Sequence, residues 1–206
     1  MALRLHAITV LEAGHETSVL HDGARAVPFR DLVAIVTERE KFTLDELDPA
    51  LADRHRAIVD TVFKAQVVLP TPAGIVFRTE SVLTRWMELH YVTLTDALSF
   101  VHDRVGARVH VGRADGDPSE TEAGSDLAEA ASEIFRELRR RAVASVPLTT
   151  EHLTGIVLSG AFLVERDLWS EFERGFAISR ESNPDLRLDL TGPWAPYDFV
   201  RMQFND

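Results

Sequence analysis

Metal binding and acid–base catalysis are the first chemistries to test in this chain, which carries eight histidines and 33 acidic residues but no cysteine. Without thiols there is no disulfide, no nucleophilic sulfur and no thiolate metal site. His15 and His21 share a stretch with Glu12 and Asp22, a set that could hold a metal ion weakly. No histidine pair has the i, i+4 spacing that puts two imidazoles on one helix face, so solvated loop histidines are the stronger reading. Asp115, Asp117, Ser119 and Asp126 approach the spacing of a calcium loop, but Glu120 stands where the sharp turn needs glycine and Pro118 interrupts it. His102-Asp103 has the composition of a base with its orienting carboxylate. No nucleophile accompanies it, and a pair on a helix surface accounts for it. Glu165, Asp167, Glu171 and Glu173 surround a predicted helix start, where negative charge is favourable for structural reasons alone. Glycine-rich phosphate loops and Gly-x-Ser-x-Gly elbows are absent from the sequence. The residue types thus indicate no catalytic centre, no metal and no cofactor.

Charge narrows the classes further. A formal net charge of −11 argues against a nucleic-acid footprint, which needs clustered cations. The one dense basic cluster, Arg136, Arg139, Arg140 and Arg141, falls at the end of a predicted helix, where it complements the dipole and pairs with Glu133 and Glu137. No run of 18 apolar residues offers a membrane-spanning helix, and Met1 to Val10 lacks the features of a signal peptide. With 45% hydrophobic and 27% charged residues, the 206-residue chain has the composition of a soluble globular protein of one or two domains.

The elements follow from periodicity. Residues 3–10 alternate as a first strand with one face more apolar than the other, and Leu32-Val33-Ala34-Ile35-Val36 suits an inner strand. Thr43 and Glu46 form a capping box ahead of a helix over 50–66, whose stripe of His55, Ile58, Val59, Val62, Phe63 and Gln66 faces a sheet. Val67 to Leu69 and Ile75 to Phe77 are strands joined by the stiff turn Pro70-Thr71-Pro72-Ala73-Gly74. A long helix over 80–105 is expected to end at Gly106 as its C-cap, before a strand over 107–111. Residues 112–124 are small and acidic and are expected to be mobile. A helix then runs from Ser125 to about Ala144, an apolar strand from Gly155 to Glu165, and a helix around Leu168, Trp169, Phe172 and Phe176.

Leu186, Leu188 and Leu190 alternate with Arg187, Asp189 and Thr191 in a last strand that runs into Gly-Pro-Trp-Ala-Pro-Tyr. The prolines make this tail a stiff ribbon that holds Trp194, Tyr197 and Phe199 in set directions. The favoured reading is a packing latch, in which truncating Trp194 costs about 3–5 kcal/mol. The other reading is a contact surface for a partner. The second half, strand–helix–strand–helix–strand, reads as a ferredoxin-like sandwich.

The stretch from Thr191 to Val200 resembles the closing signature of the GvpF/GvpL family of gas vesicle proteins, usually GPWPPYxFV, with Ala195 in place of the middle proline. Val67-Val68-Leu69-Pro70 with Gly74-Ile75-Val76-Phe77 resembles the family's VLPxxFGTVF segment, and Gly160 to Val164 its AAFLV strand. The signature residues are Leu69, Pro70, Gly74, Phe77, Gly192, Pro193, Trp194, Pro196, Tyr197 and Phe199. The resemblance implies an α+β fold of two small α/β-sandwich domains, residues 1–105 and 106–206, the second ferredoxin-like. It implies a non-enzymatic, cytoplasmic accessory or minor structural component of gas vesicles. Such a protein helps to build the shell from its small hydrophobic main subunit, through contacts with that subunit and with other accessory proteins. The competing class is a small-molecule-binding or enzymatic ferredoxin-like protein, which would need a pocket with convergent polar groups.

Overall fold

The computed structural model describes residues 1–10, 23–40, 49–114, 125–150 and 155–200. It has a mixed α+β architecture with two antiparallel sheets, in line with the expected fold class. The chain groups into two compact units, Met1–His102 together with the segment from Ala195 onward, and Asp103–Trp194.

In the first unit, β1 (Ala2–Val10) lies between β3 (Leu32–Arg39) and the short strands β4 (Val68–Pro70) and β5 (Val76–Phe77), with β2 (Ala24–Phe29) outside β3. One face of the sheet carries Leu3, Leu5, Ile8, Leu32, Ala34, Val36 and Leu69. These pack on Leu83, Trp86, Met87, Leu94, Leu98 and Val101 from α2 (Glu80–Leu89) and α3 (Tyr91–Val101). α1 (Pro49–Ala65) buries His55, Ile58, Val59, Val62 and Phe63, the stripe read from its sequence. It packs beside β1 and β4. β1 therefore has no wet face: Arg4, His6 and Thr9 are buried along with its leucines.

One reversal in this unit has no counterpart in the sequence reading, and one sequence expectation fails. β2 and β3 form a hairpin that reverses at Arg30-Asp31, where Arg30 takes φ 55°. This turn has no glycine to announce it. The expected helix over 80–105 is two helices with His90 between them, and α3 ends at Val101. Thr79 caps α2 by accepting the Val82 N–H at 3.3 Å.

The second unit runs β6 (Arg104–Arg113), α4 (Ser125–Arg139), β7 (Ala144–Pro147), β8 (Ile156–Glu165), α5 (Trp169–Ser182) and β9 (Leu186–Trp194). The sheet order is β7-β8-β6-β9 with every neighbouring pair antiparallel, an order compatible with the ferredoxin-like sandwich expected here. Gly106 is no helix cap; it lies within β6, opposite Leu163 and Trp194. β7 is an additional strand where the sequence suggested the end of a helix. Phe135 of α4 and Phe172 of α5 meet Phe162 of β8 at ring-centre distances of 5.3 and 5.5 Å and make the aromatic centre of this core. The expected ion pairs of Arg136 with Glu133, and of Arg140 and Arg141 with Glu137, are present.

Gly112 and Arg113 belong to β6, and Ala114 N–H donates to the Asp185 carbonyl. The rest of the stretch expected to be mobile, 115–124, lies outside the described residues. So do Glu12, His15, His21, Asp22, Thr43 and Glu46. No helix of the described residues is long and apolar enough to cross a membrane.

Candidate functional site

Four signature residues are assembled around β1. Leu69 stands opposite Ile8, Pro70 opposite Ala7 and Phe77 opposite Leu3. Thr71, fully buried, donates its N–H to the His6 carbonyl at 3.0 Å, and its hydroxyl lies 3.0 Å from the carbonyls of both Leu5 and His6. Leu5 N–H donates to the Ile75 carbonyl at 2.9 Å. The Pro70–Gly74 turn thereby clamps the middle of β1. It does so where the register between β1 and β3 shifts, between Leu5 and Ala7.

The tail returns to the same unit. Pro196 is buried, and Val200 packs against the apolar cluster that contains Leu69. The Tyr197 ring faces His55 of α1 at 6.4 Å. His55 in turn faces His6 of β1, Nδ1 to Nδ1 at 3.0 Å, and His6 Nε2 lies 2.9 Å from the Thr37 hydroxyl of β3. Burial, then His55, then the charges of Arg4 and Arg54, push the His6 pKa down to about 3. Burial also lowers that of His55, against a smaller opposing effect of the Thr71 backbone. Both rings are therefore neutral near pH 7. A neutral imidazole can accept and donate one hydrogen bond each, so the pair shares one proton between the facing nitrogens. Sequence reasoning placed His55 on a core stripe but missed this polar layer, because its members are 49 residues apart along the chain.

Gly192, Pro193 and Trp194 belong to β9 in the other unit. Gly192 has φ 143°, and a Cβ there would lie 2.9 Å from both the Gly106 carbonyl and the Trp169 ring. The peptide between Gly192 and Pro193 is cis. Trp194 is 43% exposed, so the expectation that it fills a core is corrected: the buried part of the ribbon begins at Ala195.

Among the described residues, those singled out for chemistry do not converge. His102 follows α3 and Asp103 takes φ 54°, so this pair sits in a turn rather than on a helix. His110 Nδ1 lies 2.8 Å from the Ser159 hydroxyl, the spacing of a base and a nucleophile. Ser159 is only 1% exposed and lines a small pocket of about 170 Å³ with Ser132, Phe135 and Arg139. A cleft of about 650 Å³ between α5 and β9 is lined by His110, Glu173, Arg180 and Asp189 among others. No group of three or more metal-ligating side chains occurs among the described residues.

Large apolar side chains also stand on the surface. At the junction of α2 and α3, Leu89 is 71% and Val92 68% exposed. The hairpin tip braces this elbow: the Arg30 guanidinium lies over the rings of Phe29 and Tyr91, at 5.2 and 4.7 Å, and Tyr91 donates its hydroxyl to Asp31 at 2.6 Å.

Comparison with known proteins agrees with the family signature. At 26% identity, the chain is similar to gas vesicle protein F of Haloferax mediterranei over 185 residues, 84% of this chain and 80% of that protein. Gas vesicle protein F2 of Halobacterium salinarum is 25% identical over 182 residues, covering 86% and 80% of the two chains. Gas vesicle protein L of a Streptomyces species is 26% identical over 215 residues, covering 88% and 80%. The fold matches the crystal structures of GvpF from Anabaena sp. PCC7120 and from Microcystis aeruginosa, with TM-scores of 0.80 and 0.77 at 17% and 14% identity. Each match covers 98% of this chain and 99% of the other. The profile of gas vesicle synthesis protein GvpL/GvpF matches residues 5–123 and 116–201, and on that match the chain belongs to the GvpL/GvpF family.

Proposed function

We propose that this protein acts in gas vesicle assembly without catalysis, by holding the vesicle's hydrophobic shell subunit and other accessory proteins against its surface in the cytoplasm. The observation that carries the reading is the exposed pair Leu89 and Val92 on an elbow braced by the β2–β3 hairpin. A folded chain gains nothing from large apolar side chains held in water, whereas burying them against an apolar partner contributes about 25 cal/mol per Å². The signature residues serve this surface indirectly in the proposal. Leu69, Pro70, Gly74 and Phe77 fix β1 and its helices, and Tyr197 and Phe199 anchor the tail.

The test is capture of the main shell protein by the immobilised full chain. Wild type retains it, and Leu89→Asp/Val92→Asp, folded to the same melting temperature, loses most of it. Equal capture by both proteins contradicts the assigned surface. Capture by neither contradicts the shell-binding function. A small-molecule function has one feature in its favour, the cleft between α5 and β9, whose charged residues line an open surface.

A further inference from the structure

The two edges of the sheet in the second unit are not alike. Arg166 N–H donates to the Asp103 carbonyl at 2.7 Å on the β8 side, and Ala114 N–H donates to the Asp185 carbonyl at 3.2 Å on the β9 side. Bonds alternate along an antiparallel pair, so odd-numbered residues of β6 point their backbone groups at β8 and even-numbered ones at β9. Through the register, Arg187, Asp189 and Thr191 bond inward to β6, and Leu186, Leu188 and Leu190 turn their backbone groups outward. Leu186 N–H is taken up by the Asn183 carbonyl.

On the opposite edge, Leu148 N–H donates to Ser159, so β7 turns only Ser145 and Pro147 outward, and Pro147 has no N–H. A four-residue strand with an outward proline is a guarded edge. β9 has nine residues and no proline before Pro193, and among the described residues no strand pairs with its outer side.

This open strand is complementary to itself. Turned antiparallel about Leu188, a second copy sets Leu186 against Leu190 and Arg187 against Asp189, each twice. The Leu188 pair lies on the axis as a hydrogen-bonded pair. The Arg187–Asp189 pairs then fall at non-hydrogen-bonded positions, where facing side chains are closest. Arg187 and Asp189 already share one exposed face, with Nε 2.8 Å from Oδ2. The helix layer repeats the pattern. Glu173 and Arg180 of α5 line the cleft beside β9, evenly spaced about Phe176 and Ala177 and about 10 Å apart along the helix. An antiparallel copy of α5 brings Glu173 opposite Arg180 at both ends.

We propose that the β9 edge is a homodimer interface: a second copy of this chain adds its β9 about a twofold axis at Leu188 and extends the sheet to eight strands. Such a contact is isologous, closed and self-complementary. It is independent of the shell-binding function and of the elbow at Leu89.

The experiment is sedimentation equilibrium of the full chain over a concentration series, with a melting curve of each variant to show that it folds. Wild type rises toward twice the monomer mass. Arg187→Asp and Asp189→Arg each oppose like charges across the axis and stay monomeric, and the double variant R187D/D189R recovers the dimer. Because the chain has no cysteine, a second readout is available. Facing Cα atoms at such a pair are about 4.5 Å apart, within reach of a disulfide. Mixing Arg187→Cys with Asp189→Cys therefore yields a mixed disulfide that neither variant forms alone. A wild-type mass that stays monomeric to the highest soluble concentration overturns the proposal. So does a dimer indifferent to the charge reversals, or a monomer that takes up an unrelated extended segment on β9.

Discussion

His6 and His55 face each other across the interior of the first unit with their Nδ1 atoms 3.0 Å apart, one ring on β1 and the other on α1. The contact holds only while at most one of the two nitrogens carries a proton. Protonating the acceptor turns a hydrogen bond into two donors head to head, beside Arg4 and with Tyr197 against the outer ring.

Stability therefore depends on pH with a definite sign. The folded pKa of His6 is depressed to about 3 from 6.5, and that of His55 is lowered as well. Below pH 6.5 the unfolded chain binds protons that the folded chain refuses. The contribution is complete above 6.5 and is lost progressively as pH falls from 6.5 toward 3, by up to about 1.4 kcal/mol per pH unit for His6, with His55 acting in the same direction. Urea denaturation at pH 7, 6 and 5 shows a falling midpoint. His6→Asn starts from a lower midpoint at pH 7 and has a shallower pH slope. Equal slopes for the two proteins would contradict the assignment.

Gly192→Ala is expected to destabilise by about 2–3 kcal/mol, because the new methyl meets the Gly106 carbonyl and Trp169 while φ stays at 143°. Gly155→Ala, with φ 75° but open space around it, carries the backbone strain alone and costs about 1 kcal/mol. Comparing the two denaturation midpoints separates crowding from strain.

The aromatic tail divides at Trp194. Trp194→Ala shifts stability by no more than about 1 kcal/mol, since the ring is 43% exposed. Tyr197→Ala costs more, about 2 kcal/mol, because its ring packs on the His55–His6 layer. The ordering of the two melting temperatures is the readout, and a reversed order would restore the latch expected from sequence.

The sequence disclosed what periodicity can carry and little of what distant residues build. Leu186, Leu188 and Leu190 alternate along the first half of β9, and α1 repeats its apolar stripe from His55 to Phe63, so both were legible. Val101 and Val105 continue the helical spacing of α3 by coincidence: the second of them is already in β6, and Gly106 behind it mimicked a cap. The Arg30-Asp31 reversal and the four-residue β7 carry no glycine signal. Pro70 and Gly74 were legible as a turn and Tyr197 as part of a stiff tail, but their common setting around β1 and α1 depends on contacts between residues at least 49 apart along the chain.

Leu89→Asp/Val92→Asp is expected to change folding stability by less than about 0.5 kcal/mol per site, since both side chains already stand in water. That separation of fold from function lets the central claim be tested in a gas-vesicle-forming host. The measurement is vesicle number, counted by electron microscopy, in a strain whose own copy of this gene is deleted and complemented. The deletion strain forms few or no vesicles, wild type restores them, and the double variant does not, although it accumulates as a folded protein. Normal vesicles in the deletion strain, or full rescue by the double variant, would contradict assembly through this surface.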